Sequence, residues 1–444
     1  MKPVQSSAEF SRDFILNESN RCVSCGLCVP HCPTYRLLKT EADSPRGRIN
    51  LMNGVASGRI PLTERFAQHM DRCLTCRACE SVCPNNVAYG RLIDEARTMV
   101  AASELSQSRQ AVASWRLKVW VMLEEVFIAQ PVRLDRVRWL FRALQKNRLM
   151  RWLSKTDFFE RNELVKFITR LPLIRFPYPA MADQDNSDDA KWKEIYPAKG
   201  KKKRGDVGLF LGCVARITDV ATLNAGIHIL NHLGYTVHVP STQTCCGALY
   251  QHGGQQKIAA ELAQKNNRAF SKLGVSAIIS TASGCGVQLV ESGVGGCNLD
   301  KDWQVLSTVT DISKFLVTAE GWEDVEILPL TCKVAVHDPC SLRNVLGDQA
   351  YVYELISRIP GVQVVPLPGN DQCCGAAGIY FIDQPELAGM LRADKITALK
   401  ESAAHYLVTS NVGCSMYLAA GVNEMRISVE VLHPVTLLAR QMGL

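Results

Sequence analysis

Eight cysteines fall in two copies of one spacing, C-x-x-C-x-x-C-x-x-x-C-P: Cys22, Cys25, Cys28 and Cys32 with Pro33, then Cys73, Cys76, Cys79 and Cys83 with Pro84. No other feature limits the fold as tightly. Three closely spaced thiolates can wrap one face of a cube of iron and sulfide. A fourth, after a longer step and ahead of a helix-breaking proline, points away and completes the other cube. The spacing therefore predicts two 4Fe–4S clusters with crossed ligands. Cluster 1 takes Cys22, Cys25, Cys28 and Cys83; cluster 2 takes Cys73, Cys76, Cys79 and Cys32. Structural zinc sites pair C-x-x-C knuckles and need no such crossed ligand.

Composition places these motifs in an ordinary globular chain. The 444 residues suit two to four domains at roughly 150 residues each. With 47% apolar and 21% charged residues, the chain can bury a sizeable core. Cysteines in metal-ligand spacing argue for a reducing compartment, so a cytoplasmic location is expected. Met1 to Phe14 lacks the apolar run of a secretory signal. The most apolar stretch, 112–132, is broken by Arg116, Lys118, Glu124 and Glu125, so no spanning helix is expected. The formal charge of +7 overstates the real excess, because bound clusters add negative charge.

Five segments follow from the pattern. Residues 1–104 form a mostly helical, ferredoxin-like domain. Residues 105–180 form a basic helical insert. From Ser106 to Ala180 it holds 15 Lys and Arg against 6 Asp and Glu, and four of the seven tryptophans. Trp115, Val119, Leu123 and Val126, then Leu134, Val137, Phe141 and Leu144, recur at helical spacing. Such stripes either pack on the chain's own domains or dock on a membrane or a partner subunit. Charge runs mark 181–204 as a linker. No nucleic-acid motif accompanies the basic patch, so nucleic-acid binding is not expected.

The remaining residues, 205–330 and 331–444, read as a duplicated α/β unit. Cys213, Cys245 with Cys246, and Cys285 each follow a strand-like run. Cys340, Cys373 with Cys374, and Cys414 repeat that order 127, 128 and 129 residues later. Helical stretches at 221–233, 256–273, 352–359 and 384–402 alternate with the strands, which implies parallel sheets. Ligands of such sheets gather at the carboxyl ends of strands. Cys213, Cys245, Cys246 and Cys285 are thus one candidate metal set, and Cys340, Cys373, Cys374 and Cys414 a second. Each set suits an iron–sulfur cube or zinc. Neighbouring glycines would let backbone approach a bulky cluster. Cys297 and Cys332 lie outside the pattern.

A two-cluster bacterial-ferredoxin motif followed by two Cys-Cys-Gly (CCG) repeats resembles the glycolate oxidase iron–sulfur subunit family. SPRGRINL (Ser44 to Leu51), DRCLTCRACESVCP (Asp71 to Pro84), TASGCG (Thr281 to Gly286) and NVGC (Asn411 to Cys414) are most similar to that branch. The fold class expected is therefore α+β multidomain: a mostly α-helical ferredoxin-like domain, the basic insert, then two α/β CCG repeats with parallel sheets. The resemblance implies an electron-transfer subunit of a flavin-dependent 2-hydroxyacid dehydrogenase, of the glycolate or D-lactate type. FAD would sit on a partner subunit, and electrons would pass to a quinone or another carrier. The basic segment 106–180 would give a peripheral contact with the inner face of the cell membrane.

Two related layouts remain open, those of anaerobic glycerol-3-phosphate dehydrogenase and of heterodisulfide reductase. The latter would make the chain itself catalytic, but its repeat ends in C-x-x-C. Here Gln288 and Tyr417 occupy the partner positions after Cys285 and Cys414. No catalytic side chain is expected, and no G-x-G-x-x-G or Walker loop is present.

Overall fold

The computed structural model describes residues 7–103, 192–294 and 301–444. The basic insert, the linker's acidic part and Cys297 lie outside the described residues. The chain divides into two compact bodies. One holds the described part of Met1–Leu123 with Gly247–Ala260 and Asp371–Leu391. The other holds the described part of Glu124–Cys246 with Glu261–Asn370 and Arg392–Leu444.

The first body is helical. Its N-terminal part runs α1 (Ser7–Ser19), α2 (Pro33–Leu38), α3 (Pro45–Ala56), α4 (Glu64–Asp71), α5 (Ala78–Ser81) and α6 (Tyr89–Ala101). Local chemistry sets these boundaries. Pro33 and Pro45 open their helices at positions that need no N–H partner. The Ser44 hydroxyl caps α3 by accepting from the Gly47 N–H at 3.0 Å. Ile15, Met52, Met70, Leu92, Ile93 and Ala96 are fully or almost fully buried and pack as one core between α1, α3, α4 and α6.

Two segments that the sequence assigns to the CCG repeats close this body. Asp94 Oδ1 on α6 pairs with His252 Nδ1 at 3.0 Å, and Arg97 donates to the His252 carbonyl at 3.2 Å. A Cβ on Gly254 would lie 2.6 Å from the Arg97 carbonyl oxygen, so only glycine lets these backbones approach so closely. From the other segment, the buried Tyr380 donates through its hydroxyl to the Arg72 carbonyl at 3.1 Å.

The second body carries two sheets built to one plan. In the first, the order is β1 (Ile195–Tyr196), β3 (Tyr235–His238), β2 (Gly205–Phe210), β4 (Ile278–Ser280), β5 (Val309–Asp311). In the second it is β7 (Gln363–Pro366), β6 (Lys333–Val336), β8 (Tyr406–Val408), β9 (Glu430–Leu432). β3-β2-β4-β5 and β7-β6-β8-β9 share topology, and all their pairings are parallel. The duplication read from cysteine spacing is therefore a duplication of fold.

The strand interiors Val207, Leu209, Ile279, Val334, Val336 and Val408 are buried in one core with the covering helices, as strands covered on both faces require. Thr222 and Thr436 meet at 2.9 Å within it and satisfy each other.

β1 corrects the linker expectation. It falls within 181–204 yet forms an antiparallel edge strand, pairing Ile195 with His238 and Tyr196 with Val237. Two residues are too few to show an alternation among flanking charges. Tertiary pairing, with the Val239 N–H donating to the Glu194 carbonyl at 2.8 Å, holds them.

Candidate iron–sulfur centres

The two ferredoxin-type motifs wrap two adjacent pockets in the first body. One has about 470 Å³ of space, partly open to solvent, and is lined by Cys22, Cys25, Cys28, Cys79 and Cys83. The other has about 300 Å³ and is lined by Cys32, Cys73, Cys76 and Cys79. The long step from Cys28 to Cys32 and the turn into α2 carry Cys32 away from its own motif. The same step after Cys79 carries Cys83 the other way. Left-handed backbone at Ser24, Gly26, Thr75 and Arg77 turns the intervening residues around the pockets.

The thiols are chemically suited to a metal. Burial pushes the Cys28 thiol up to about 11, with the charges of Cys22 and Cys25 adding and an N–H of Arg46 opposing. Cys79 is pushed well above its ordinary value, by burial first and then by Cys76 and Cys73. Thiols this crowded resist ionisation alone, and the positive charge of bound iron removes that penalty.

The two pockets differ in their surroundings. Around the first, Cys25 is exposed, and Val23 and Leu27 are exposed at 67% and 57%. Around the second, a buried polar network collects. Arg48 is 1% exposed and Asp43 0%. Their side chains pair at 3.2 Å. His69 and Arg72 reach the same carboxylate at 3.0 and 3.3 Å, and Thr40 donates to it at 2.7 Å. Burial works to raise the Asp43 carboxyl, but these bonds and the Arg48 charge hold it below the usual carboxylate range.

This network explains SPRGRINL. Arg48 supplies the guanidinium and Ser44 the cap. Gly47 is required because a Cβ there would sit 1.8 Å from the Glu41 carbonyl oxygen. The stretch has no evident task in the sequence alone, and Asp43 was missed there. A positive residue four positions after a helix cap, beside a cluster motif, is the available signal.

In the second body, the first CCG set gathers. Cys245 Sγ lies 3.5 Å from Cys213 Sγ, and Cys246 shares hydrogen bonds with Cys245 and Cys285. Cys213 follows β2, the Cys245–Cys246 pair follows β3, and Cys285 opens the helix Ser283–Val294 after β4. Cys213 is raised well above its ordinary value, by the bond with Cys245 and then by burial.

The second set occupies equivalent places in the chain. Cys340 follows β6, and Cys414 opens the helix Val412–Glu424 after β8. Cys373 and Cys374 belong to Asp371–Leu391 in the first body. The Asn411 side-chain amide donates to Cys414 Sγ at 3.7 Å. Ser283 Oγ meets Ser341 Oγ at 2.8 Å, and the Ser283 N–H donates to the Ser410 carbonyl at 3.1 Å. The loops bearing Cys285, Cys340 and Cys414 therefore abut.

His337 was also missed from the sequence. It is buried, and a ligand atom of its ring lies within 4.8 Å of Cys414 Sγ. Its Nδ1 is paired with Thr409 Oγ1 at 2.9 Å. Burial pushes it well below its usual value, with Lys395 and Arg343 adding, so the ring is neutral as a metal ligand must be. The spacing H-x-x-C ahead of Cys340 was the signal. Phe210 holds the corresponding place before Cys213.

The two CCG glycines share one left-handed backbone conformation. Gly247 and Gly375 both adopt φ +89°, and a Cβ on Gly375 would lie 2.7 Å from the Ala388 carbonyl oxygen. Gly247 stands at the start of the helix Ala248–His252, and Gly375 lets the chain pass close to the Ala388 backbone.

Known proteins place this architecture. The family description "4Fe-4S dicluster domain" matches residues 18–87, and "Cysteine-rich domain" matches 207–290 and 334–419. The "Probable glycolate oxidase iron-sulfur subunit" of Bacillus subtilis (strain 168) is 31% identical over 459 aligned positions, covering 100% of this chain and 98% of that protein. The chain belongs to the glycolate oxidase iron–sulfur subunit family. The "Glycolate oxidase iron-sulfur subunit" of Escherichia coli (strain K12) is also 31% identical, over 96% of each chain. "Lactate utilization protein A" of Anoxybacillus flavithermus is 27% identical over 51% of this chain and 96% of its own. As a family member, the chain is an iron–sulfur component of an oxidoreductase complex. Among the described residues, no helix is long and apolar enough to cross a membrane.

Proposed function

We propose that this chain passes electrons, one at a time, from an FAD-bearing 2-hydroxyacid dehydrogenase subunit towards a quinone or another carrier. Oxidation of a 2-hydroxy acid such as glycolate or D-lactate to the 2-oxo acid releases two electrons and two protons. Iron–sulfur clusters, when bound, accept one electron each, so two in one body can empty a two-electron donor in steps. The observation that carries this reading is the pair of neighbouring cysteine-lined pockets in the first body.

In this reading Cys22, Cys25, Cys28 and Cys83 hold cluster 1, and Cys73, Cys76, Cys79 and Cys32 hold cluster 2. Exposed Cys25, flanked by Val23 and Leu27, marks the edge at which electrons enter or leave. Cys213, Cys245, Cys246 and Cys285 hold a further metal centre. Cys340, Cys373, Cys374 and Cys414 hold another, with His337 beside Cys414. The side chains set orientation, burial and hydrogen bonding; catalysis on substrate belongs to the flavin subunit. The basic segment 106–180 supplies the contact with the membrane or that subunit.

The test is reduction of the clusters by substrate through the partner. The chain is purified without oxygen and mixed with the flavin subunits of a glycolate oxidase complex. Glycolate or D-lactate is expected to bleach the cluster absorption of this chain within turnover time. Bleaching by glycerol 3-phosphate with its own dehydrogenase, and not by either hydroxy acid, would overturn the substrate class.

A further inference from the structure

The polar network beside the second pocket points at one sulfur. Cys32 is 7% exposed. The Thr34 hydroxyl lies 3.2 Å from Cys32 Sγ, and Arg48 Nη1 lies 4.0 Å from it. Arg48 is held on every side. It donates through Nη1 to Thr34 Oγ1 at 3.0 Å and to the Asp43 carbonyl at 2.7 Å. It also donates through Nη2 to the Asp43 carboxylate at 3.2 Å and through Nε to the His69 carbonyl at 2.7 Å. A buried guanidinium with its whole fork engaged is a fixed charge, unlike a surface arginine that water screens.

The charge balance of this network is positive. Arg48 and Arg72 both reach the single carboxylate of Asp43. On the Cys73 side, the Tyr89 hydroxyl sits 3.7 Å from the sulfur and the Thr75 N–H donates to it at 3.5 Å. The first pocket is served differently. The guanidinium in its lining, Arg46, is paired with Glu41 at 2.6 Å and partly exposed. Reduction adds a negative charge to a cluster. Fixed positive charge and donors aimed at the ligand sulfurs stabilise that reduced state and raise the potential.

We infer that Arg48, clamped by Asp43 and relayed by Thr34, selectively raises the reduction potential of the cluster that includes Cys32, so that it draws electrons from its more exposed neighbour. These are positioning residues; they act on the cluster through its ligand sulfur. The inference rests on the crossed assignment of Cys32 to the set of Cys73, Cys76 and Cys79.

The experiment is an EPR-monitored redox titration of the full chain, purified without oxygen, with iron content measured on the same samples. The cluster lost in Cys32→Ser identifies which signal belongs to Cys32. Thr34→Val, iron-replete, is expected to shift that one midpoint downwards and leave the other in place. Thr34→Ser, which keeps the hydroxyl, is expected to restore it. Arg48→Gln should produce the larger downward shift. If Arg48→Gln loses iron, the Thr34 pair decides alone. Unmoved midpoints in iron-replete Thr34→Val, a shift shared equally by both clusters, or an upward shift would overturn the inference. If Cys32→Ser instead removes the signal of the Cys22 set, the ligand assignment has failed; midpoint shifts confined to either signal then still report the network's action separately.

Discussion

Tyr380 donates its hydroxyl proton to the carbonyl of Arg72, the residue immediately before Cys73, across 308 positions of sequence. Tyr380 stands six residues after Cys374, so a CCG segment is pinned to the entrance of the second ferredoxin-type motif. Burial pushes its hydroxyl well above the ordinary range, with the charge on Cys73 adding and Arg48 opposing. It therefore stays a donor at every working pH. Tyr380→Phe is expected to lower stability by about 1 kcal/mol, the net worth of one hydrogen bond. Tyr380→Ala is expected to lower it by about 3–5 kcal/mol, the range for emptying an aromatic site. Denaturant unfolding of the anaerobic protein measures both. An alanine variant as stable as its parent would mean that the segment does not pack on this motif.

The first CCG set can be separated from the ferredoxin-type pockets by metal content. Cys213 and Cys245 bring their sulfurs to 3.5 Å of one another, and Cys246 joins them to Cys285. Cys246→Ala is expected to remove the iron or zinc of that set and to leave about eight iron atoms, the content of two four-iron clusters, in place. Plasma emission on the anaerobically purified chain reads the loss directly. His337→Ala is expected to reduce the metal of the second set alone. Full metal content in both variants would leave these cysteines with a packing task only.

Two buried groups give opposite pH dependences. His433 Nδ1 accepts from the Val435 N–H at 3.1 Å. Burial pushes the ring down from 6.5 to about 3, with a bond at the Thr281 backbone opposing. Between those values the unfolded chain holds the extra proton. Stability therefore falls as pH drops from 6.5 towards 3, by up to about 1.4 kcal/mol per pH unit. Burial raises Asp311 from 3.8 to about 7, with its bonds to Ser313 opposing. Between those values the folded chain holds the extra proton, so stability falls as pH rises from 3.8 to 7. The two slopes offset one another where they overlap. His433→Asn, which keeps an acceptor for the cap, should remove the acid-side loss. Asp311→Asn should remove the loss on raising pH. Unfolding midpoints from pH 4 to 7 that keep the parent's slope in both variants would contradict the assignment.

The thiols and the repeat were legible in the sequence because each rests on local spacing. C-x-x-C-x-x-C-x-x-x-C-P predicts the grouping of the sulfurs, and the two pockets follow it except that Cys79 lines both. Offsets of nearly constant length betray a copied sheet in which three strands are each followed by cysteine. Helices such as 256–271 and 385–402 emerged close to their expected ends. What stayed hidden depends on tertiary approach. Asp43 and Arg48 meet only because Pro45 and Ser44 start α3 where they do. Tyr380 reaches Arg72, and His252 reaches Asp94, from segments far along the chain. β1 is too short to declare itself without its partner β3. His337 hides because a histidine three residues before a cysteine is an ordinary spacing until the fold turns its ring towards Cys414.

Cys32→Ser tests most directly whether the two clusters exchange their fourth ligands. The full chain is purified without oxygen, reduced, and compared with the parent by EPR and iron analysis. Coupled signals from two neighbouring four-iron clusters are expected in the parent. In the variant, the cluster built on Cys73, Cys76 and Cys79 is expected to be lost or converted, while the signal of the Cys22, Cys25 and Cys28 set persists without its coupling. Loss confined to the Cys22 set, or zinc in place of iron in the parent, would contradict the exchange.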